Sequence, residues 1–213
     1  MTRSRSIGVV SQVDDLLPET LLSLAGPDPA RSEEPEGRTS DPFSHLFQRR
    51  TVWLRTTLDQ DAANRLSAEL LALDSASEDP IELVINSPGG PLDTALSVID
   101  TLDLLRSPVA TLCLGQAMGT AAAVLACGSD GRRATPATRL SLRLRPFDAS
   151  GTATELQNQA RQLTGLHDHL ALRLAEATGQ LPAVIVMNLE QGGFMTAEQA
   201  VGYGLIDEVA ERR

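Results

Sequence analysis

The chain has 213 residues, with 28 acidic and 18 basic side chains and a formal net charge of −10. Because phosphate binding needs an excess of cations, this charge argues against nucleic acid as the main partner and equally against a negatively charged membrane surface. The sequence contains no lysine, which excludes mechanisms built on one, such as a Schiff base or the phosphate-binding P-loop.

The first 42 residues differ in composition from the rest. The stretch 26–42 is rich in Pro, Gly, Ser and Glu and has too little apolar surface to offset the entropy of ordering. No apolar run reaches the roughly 18 residues of a membrane span, and the start has no secretory apolar region. We therefore predict a flexible N-terminal extension over residues 1–42, a domain over residues 43–213, and a cytoplasmic protein without a membrane partner.

The rest of the chain alternates between strand and helix patterns. In chain order we predict a strand at Thr51–Leu54, a helix at Asp59–Leu73, a strand at Ile81–Ile85, a helix at Leu92–Leu105 and a strand at Val109–Leu114. There follow a helix at Gly119–Cys127 capped by Gly128, a strand at Arg139–Arg145, helices at Ala153–Thr178, Leu181–Leu189 and Thr196–Tyr203, and a strand at Ile206–Val209. A strand followed by a helix occurs three times in succession, and this order predicts an α/β fold with a largely parallel sheet.

The sequence offers few metal-ligating side chains. Cys113 and Cys127 lie in apolar surroundings, and we interpret both as small buried side chains rather than a disulfide. None of the three histidines stands at metal-ligand spacing from a cysteine. We expect no metal and no cofactor.

Several blocks of sequence match a known family. They are INSPGG at 85–90, IDTLDLLRSPVATLCLGQA at 99–117, ATGQ at 177–180 and FMTAEQAVGYGLID at 194–207. Through these blocks, residues 43–213 resemble ClpP, the proteolytic subunit of the ATP-dependent Clp protease. The resemblance implies a ClpP/crotonase-type spiral of βαβ units with a protruding handle helix, assembled into oligomeric rings.

The resemblance also implies where a serine peptidase triad would stand. Its Ser position is Gly119, its His position is Arg143 and its Asp position is Asn188. Glycine has no side chain, arginine stays protonated and accepts no proton, and asparagine has no charge to stabilise an imidazolium. We therefore predict that the chain is not an active serine endopeptidase.

Two other hydroxyls stand near these positions. Thr120 follows the Ser position, and Ser141 lies two residues before Arg143 on the same predicted strand. His167 and His169 are two residues apart on a helix, so we interpret them as surface residues on different faces. Without a neighbouring base, both hydroxyls would remain unactivated alcohols.

Backbone groups make up another part of the family's site. The resemblance places the two oxyanion-hole N–H groups at Gly90 and Thr120, and backbone donors survive the loss of side chains. Gly89-Gly90 is equally explained as a tight turn. Pro91 stands where the family pairs a strand with substrate, and proline has no N–H to donate, although it also suits the first turn of a helix. We expect Pro91 to weaken substrate binding.

Two further sets of positions concern partners that the resemblance implies. The family docks its Clp ATPase unfoldase in apolar pockets rimmed by aromatic side chains. The matching positions here carry no aromatic residue: Glu82, Val84, Leu104, Leu112 and Leu114. The family also bridges stacked rings with charged residues, and Val186 and Met187 stand at those positions. We expect altered ATPase docking and a weakened double ring.

These observations favour a catalytically inactive ClpP-like subunit that forms a homo-oligomer, or joins a ring with active paralogues, and sets assembly, pore access or partner choice. Heavy use of Ala, Leu and Arg indicates a GC-rich bacterial genome. One alternative is a stand-alone regulator that binds peptides or an ATPase without hydrolysis. Another, ranked lower, is a crotonase-fold acyl-CoA enzyme, which needs a carboxylate in its pocket. Asp93 is near in sequence, but we expect it on the following helix.

Overall fold

The structure is a computed structural model that describes residues 41–146 and 150–211. The predicted extension over residues 1–42 lies outside these residues, except for its last two. The described residues form seven helices: α1 (Pro42–Gln48), α2 (Gln60–Ala76), α3 (Leu92–Leu104), α4 (Thr120–Ala126), α5 (Ala153–Thr178), α6 (Pro182–Gln191) and α7 (Ala197–Tyr203). They also form six strands: β1 (Thr51–Leu54), β2 (Ile81–Ser87), β3 (Val109–Met118), β4 (Arg132–Ala134), β5 (Arg139–Ser141) and β6 (Glu208–Val209).

These six strands form one sheet in which every ladder is parallel. The order is β1-β2-β3-β4-β6, and β5 pairs with the far end of β3. Strand β3 pairs with two strands on that side. Its residues 111–113 pair with β4, and its residues 116–118 pair with β5. Ser87 pairs with Ala117, and Ala117 pairs with Leu140. The carboxyl ends of β2, β3 and β5 therefore meet at one edge of the sheet.

Helix α4 starts at this edge and is buried along its whole length. All seven of its residues are buried, and four of them are alanines, whose small side chains allow close packing in the core. The prediction that Gly128 caps this helix is wrong, because Cys127 is the C-cap, with φ −91°. Gly128 instead allows a close approach, since a Cβ there would lie 2.7 Å from the Thr111 hydroxyl oxygen.

Helix α5 has the bounds predicted from the sequence, Ala153–Thr178. Thr152 and Glu155 form a capping box at its start, and Gly179 ends it with φ 72°. Its buried side chains all lie in its C-terminal half: Leu170, Ala171 and Leu174. The N-terminal half therefore extends beyond the core, and the predicted α/β fold with a protruding helix is confirmed.

Some elements differ from the prediction. The sequence pattern predicts neither α1 nor the short strand β4, whose Arg-Arg-Ala sequence has no strand signature. The strand predicted to reach Arg145 ends at Ser141. Beyond it, the Leu144 N–H donates to the Leu189 carbonyl of α6 at 2.8 Å, so this segment turns away from the sheet.

In the described part of the chain, no single helix has the length and apolar character needed to cross a membrane. Helices α5 and α6 meet that test only as a pair, with a bend of 115° between them.

Candidate functional site

The candidate site begins at the turn between β3 and α4. Gly119 is the N-cap of α4, with φ 54° and ψ −118°. Its N–H donates to the Ser141 carbonyl at 2.7 Å, which ties the turn to the end of β5. A strained strand-to-helix turn of this kind holds the nucleophile of many hydrolases above a sheet. Here the backbone geometry is present, and the residue that occupies it has no side chain.

The Arg143 and Asn188 positions lie on the two segments that follow. The Arg143 side chain is exposed, and the Arg143 N–H donates to the Ser141 hydroxyl oxygen at 3.2 Å. Asn188 is half-buried on α6, and its Nδ2 donates to the Val184 carbonyl one turn earlier at 2.8 Å. The backbones of residues 119, 143 and 188 thus lie on adjoining elements, while the Asn188 amide group bonds to its own helix.

The turn after β2 supplies the opposite side of the site. The buried Ser87 hydroxyl donates to the Thr56 carbonyl at 2.6 Å and accepts from the Gly89 N–H at 3.1 Å. Gly89 has φ 78°, and a Cβ there would collide with the Met118 carbonyl. A Cβ at Gly90 would collide with the Leu58 carbonyl. The paired glycines are therefore required by the close approach of the backbone on both sides.

Gly90 and Thr120 lie in direct contact. The Gly90 N–H donates to the Thr120 hydroxyl oxygen at 2.8 Å, and the Thr120 hydroxyl donates to the Gly90 carbonyl at 3.1 Å. The Thr120 residue is 2 % exposed. The structure therefore brings the two predicted oxyanion-hole residues together, but it pairs the Gly90 N–H with a side chain of the protein itself.

A cleft of about 740 Å³ opens beside this contact. Its walls are the turn at residues 89–93, Thr120, the segment at residues 144–146, and one face of α5. Pro91 lines the cleft as the exposed N-cap of α3, with φ −57°, rather than as a residue of its first turn. Because proline has no N–H, the rim of the cleft offers no backbone donor at this position.

Two titratable residues that the sequence analysis set aside line the cleft. His167, interpreted from the sequence as a surface residue, is half-buried and lines the cleft. The signal was its spacing, because Gln159, Leu163 and His167 recur every four residues and so share one face of α5. Asp93 also lines the cleft, although it lies on α3 as expected, and its carboxylate accepts from the Thr94 N–H at 2.9 Å.

The two cysteines do not supply a substitute nucleophile. Both are buried and free, as predicted. Burial raises the pKa of the Cys113 thiol to about 12, and it raises the pKa of the Cys127 thiol to about 12 as well. Because the thiolate is the reactive form, both side chains stay unreactive at neutral pH.

The predicted docking positions differ in exposure and in charge. Val84 is 3 % exposed and pairs in register with Leu112. Glu82, on the same face of the sheet, forms an ion pair with Arg133 at 3.0 Å. Leu104 lies apart at the end of α3 and is 77 % exposed. Leu112 and Leu114 are half-buried.

The two positions predicted to bridge stacked rings, Val186 and Met187, lie on α6. Val186 is half-buried and packs against the core, whereas Met187 is 55 % exposed. Neither side chain can form an ion pair. At these two positions, a contact between subunits would therefore rest on apolar surface.

Comparison with known families agrees with the resemblance found in the sequence. The family model described as Clp protease matches residues 32–213. This match covers most of the chain and includes the strand-to-helix turn, the glycine pair and α5.

Proposed function

The chain belongs to the Clp protease family, and we propose that it is a catalytically inactive ClpP-like subunit of that family. In this proposal it contributes structure or regulation to a Clp-type ring that also contains active paralogues. The proposed location is the cytoplasm of a bacterium.

One observation carries the proposal of inactivity. The turn that would present a nucleophile is occupied by Gly119, with φ 54° and no side chain. The hydroxyl of the next residue, Thr120, both accepts a hydrogen bond from the Gly90 N–H and donates one to the Gly90 carbonyl. In this arrangement Gly119 has no nucleophilic atom, and the Thr120 hydroxyl donates its proton to the Gly90 carbonyl rather than to a base that could activate it.

The surface of the chain supports a role in assembly. Members of the Clp protease family typically form oligomeric rings. The described residues include several large apolar side chains that are more than half exposed: Leu104, Leu172, Leu181, Met187 and Phe194. Such surface suits burial against neighbouring subunits.

The residue at one of the predicted docking positions, Glu82, supports weaker binding of the Clp ATPase unfoldase. At the Glu82 position the chain carries a carboxylate paired with Arg133 at 3.0 Å. Covering this pair with an apolar anchor would remove both charges from water without a new partner. In our proposal, the Clp ATPase unfoldase therefore binds this subunit weakly, and active paralogues in the ring carry that contact.

Three measurements test the proposal. In native mass spectrometry, the chain mixed with the active ClpP paralogue of its own genome should give rings that contain both subunits. A mixture that stays separate would contradict ring assembly and favour a stand-alone regulator.

The chain alone should hydrolyse fluorogenic peptides no faster than its Thr120→Val variant and should resist labelling by serine-reactive phosphonates. Faster turnover or stoichiometric labelling would contradict inactivity.

A second candidate function rests on Asp93. Its carboxylate lines the same cleft as Gly90 and Thr120, as an acid–base group of a crotonase-fold acyl-CoA enzyme would. It ranks below the first because the Gly90 N–H is already bonded to Thr120. Acyl-CoA turnover by the wild type that is lost in the Asp93→Asn variant would favour this function. We expect no turnover by the wild type or by the variant.

A further inference from the structure

We propose that Thr120 determines which ligands the cleft accepts, because its hydroxyl occupies the hydrogen-bonding groups of Gly90. Ligands that would accept a hydrogen bond from the Gly90 N–H, such as a peptide carboxylate, are rejected. This inference concerns the cleft of the single chain, so it holds whether or not the chain joins a ring.

The first step is the geometry of the contact. The Thr120 hydroxyl oxygen is the acceptor for the Gly90 N–H at 2.8 Å and the donor to the Gly90 carbonyl at 3.1 Å. An N–H has one hydrogen, and a hydrogen bond weakens steeply away from a linear arrangement. A ligand oxygen can therefore bind well to this N–H only after the hydroxyl has moved away.

The second step is the consequence of moving the hydroxyl. Thr120 is 2 % exposed, so a displaced hydroxyl would leave both of its hydrogen bonds with no water to replace them. The residues that follow Thr120 on α4 are all buried, so the start of the helix that carries this side chain is held in place by the core. The contact is therefore a fixed part of the cleft wall.

The third step concerns the neighbouring glycine. A Cβ at Gly89 would lie 3.0 Å from the Thr120 hydroxyl oxygen. The glycine pair and Thr120 are thus packed closely, and a smaller side chain at 120 would open space directly in front of the Gly90 N–H. We expect such a change to strengthen the binding of an acceptor ligand by about tenfold, the value of one well-formed hydrogen bond.

The experiment uses the full chain and four variants. Thr120→Val keeps the shape of the side chain and removes the hydroxyl, Thr120→Ala also removes its bulk, and Thr120→Ser keeps the hydroxyl. Thr101→Ala is the matched control, because Thr101 is 8 % exposed and its hydroxyl donates to the Ser97 carbonyl at 2.7 Å on α3. Hydrogen exchange of the Gly90 amide is measured by NMR, together with titration of N-acetyl-leucyl-leucine, a peptide with a free carboxylate.

The proposal predicts a distinct pattern. Exchange at Gly90 should be at least about tenfold faster in Thr120→Val than in the wild type, because the amide loses its acceptor, and unchanged in Thr120→Ser and Thr101→Ala. The peptide should shift the Gly90 resonance in Thr120→Ala and not in the wild type. Equal exchange in Thr120→Val and the wild type would overturn the proposal. So would equal acceleration by Thr101→Ala, or equally tight peptide binding by the wild type. If Thr120→Ala does not fold, the exchange result for the isosteric valine variant decides.

Discussion

The carbonyl oxygen of Arg143 lies 3.1 Å from the point where a Cβ would stand at Gly119. The segment after β5 has therefore closed over the turn to a distance that suits glycine and crowds any other residue. The same glycine has φ 54°, a conformation that residues with side chains rarely adopt. The packing and the backbone conformation of this turn therefore both favour a residue without a side chain.

Introducing a side chain at this turn should destabilise the protein. We expect Gly119→Ser to lower the free energy of unfolding by about 1–3 kcal/mol, through backbone strain and the contact with Arg143. Urea unfolding measures the change. Gly131→Ser is the matched control, because Gly131 also has a positive φ, 90°, but a Cβ there meets nothing within 4 Å. Equal destabilisation by the two variants would show that the Arg143 contact has no effect.

Restoring the triad side chains should restore little peptidase activity. The triple variant Gly119→Ser, Arg143→His, Asn188→Asp must also turn residue 188 away from the Val184 carbonyl that its amide now binds. A misplacement of about 1 Å can cost on the order of a hundredfold in rate. Adding Pro91→Val returns a backbone donor to the cleft rim, so we expect the quadruple variant to be faster.

Turnover of one short fluorogenic peptide by the two variants tests this expectation, with circular dichroism and native mass as controls for folding and assembly. High turnover by the triple variant, which keeps Pro91, would mean that Pro91 does not limit substrate binding.

Stability at acid pH should depend on Asp207. Hydrogen bonds from the Arg132 guanidinium hold the pKa of this carboxyl below its ordinary value of 3.8. Because the pKa is lower in the folded state, the pair stabilises the protein above the unfolded pKa, and the stabilisation is lost as the pH falls through the folded pKa. We expect Asp207→Asn to be less stable than the wild type at pH 7, with a gap that narrows below pH of about 4.

Chemical denaturation at a series of pH values measures this gap. Asp130→Asn is the control, since Asp130 is exposed and has no ion pair within the described residues. A gap for Asp207→Asn that stays constant across the acid range would show that the ionised carboxylate is not responsible.

Both cysteines should resist alkylation in the folded protein. Burial raises the pKa of Cys113 to about 12 and the pKa of Cys127 to about 12, so almost no thiolate forms at pH 8. Mass spectrometry after iodoacetamide treatment should find no adduct on the folded chain and two adducts in denaturant. A single adduct on the folded chain would identify a thiol that the fold leaves accessible.

The sequence by itself determined the features that depend on local patterns. The bounds of α5 follow from Thr152 and Glu155 at one end and Gly179 at the other, because caps act on residues within one turn. The resemblance to ClpP also led to the prediction that Gly119, Arg143 and Asn188 stand at the triad positions, and the expected inactivity follows from the chemistry of those three residue types alone.

Only the tertiary structure decided which groups meet across the chain. Strand β4 exists because residues 111–113 of β3 pair with it, and no pattern in Arg-Arg-Ala predicts that pairing. His167 enters the cleft because α5 lies beside the turn at residues 89–93. Gly90 and Thr120 are 30 residues apart, and their paired hydrogen bonds form only once β2 and β3 lie side by side. Sequence patterns report local preferences, whereas a hydrogen bond between distant residues depends on the packing of the whole sheet.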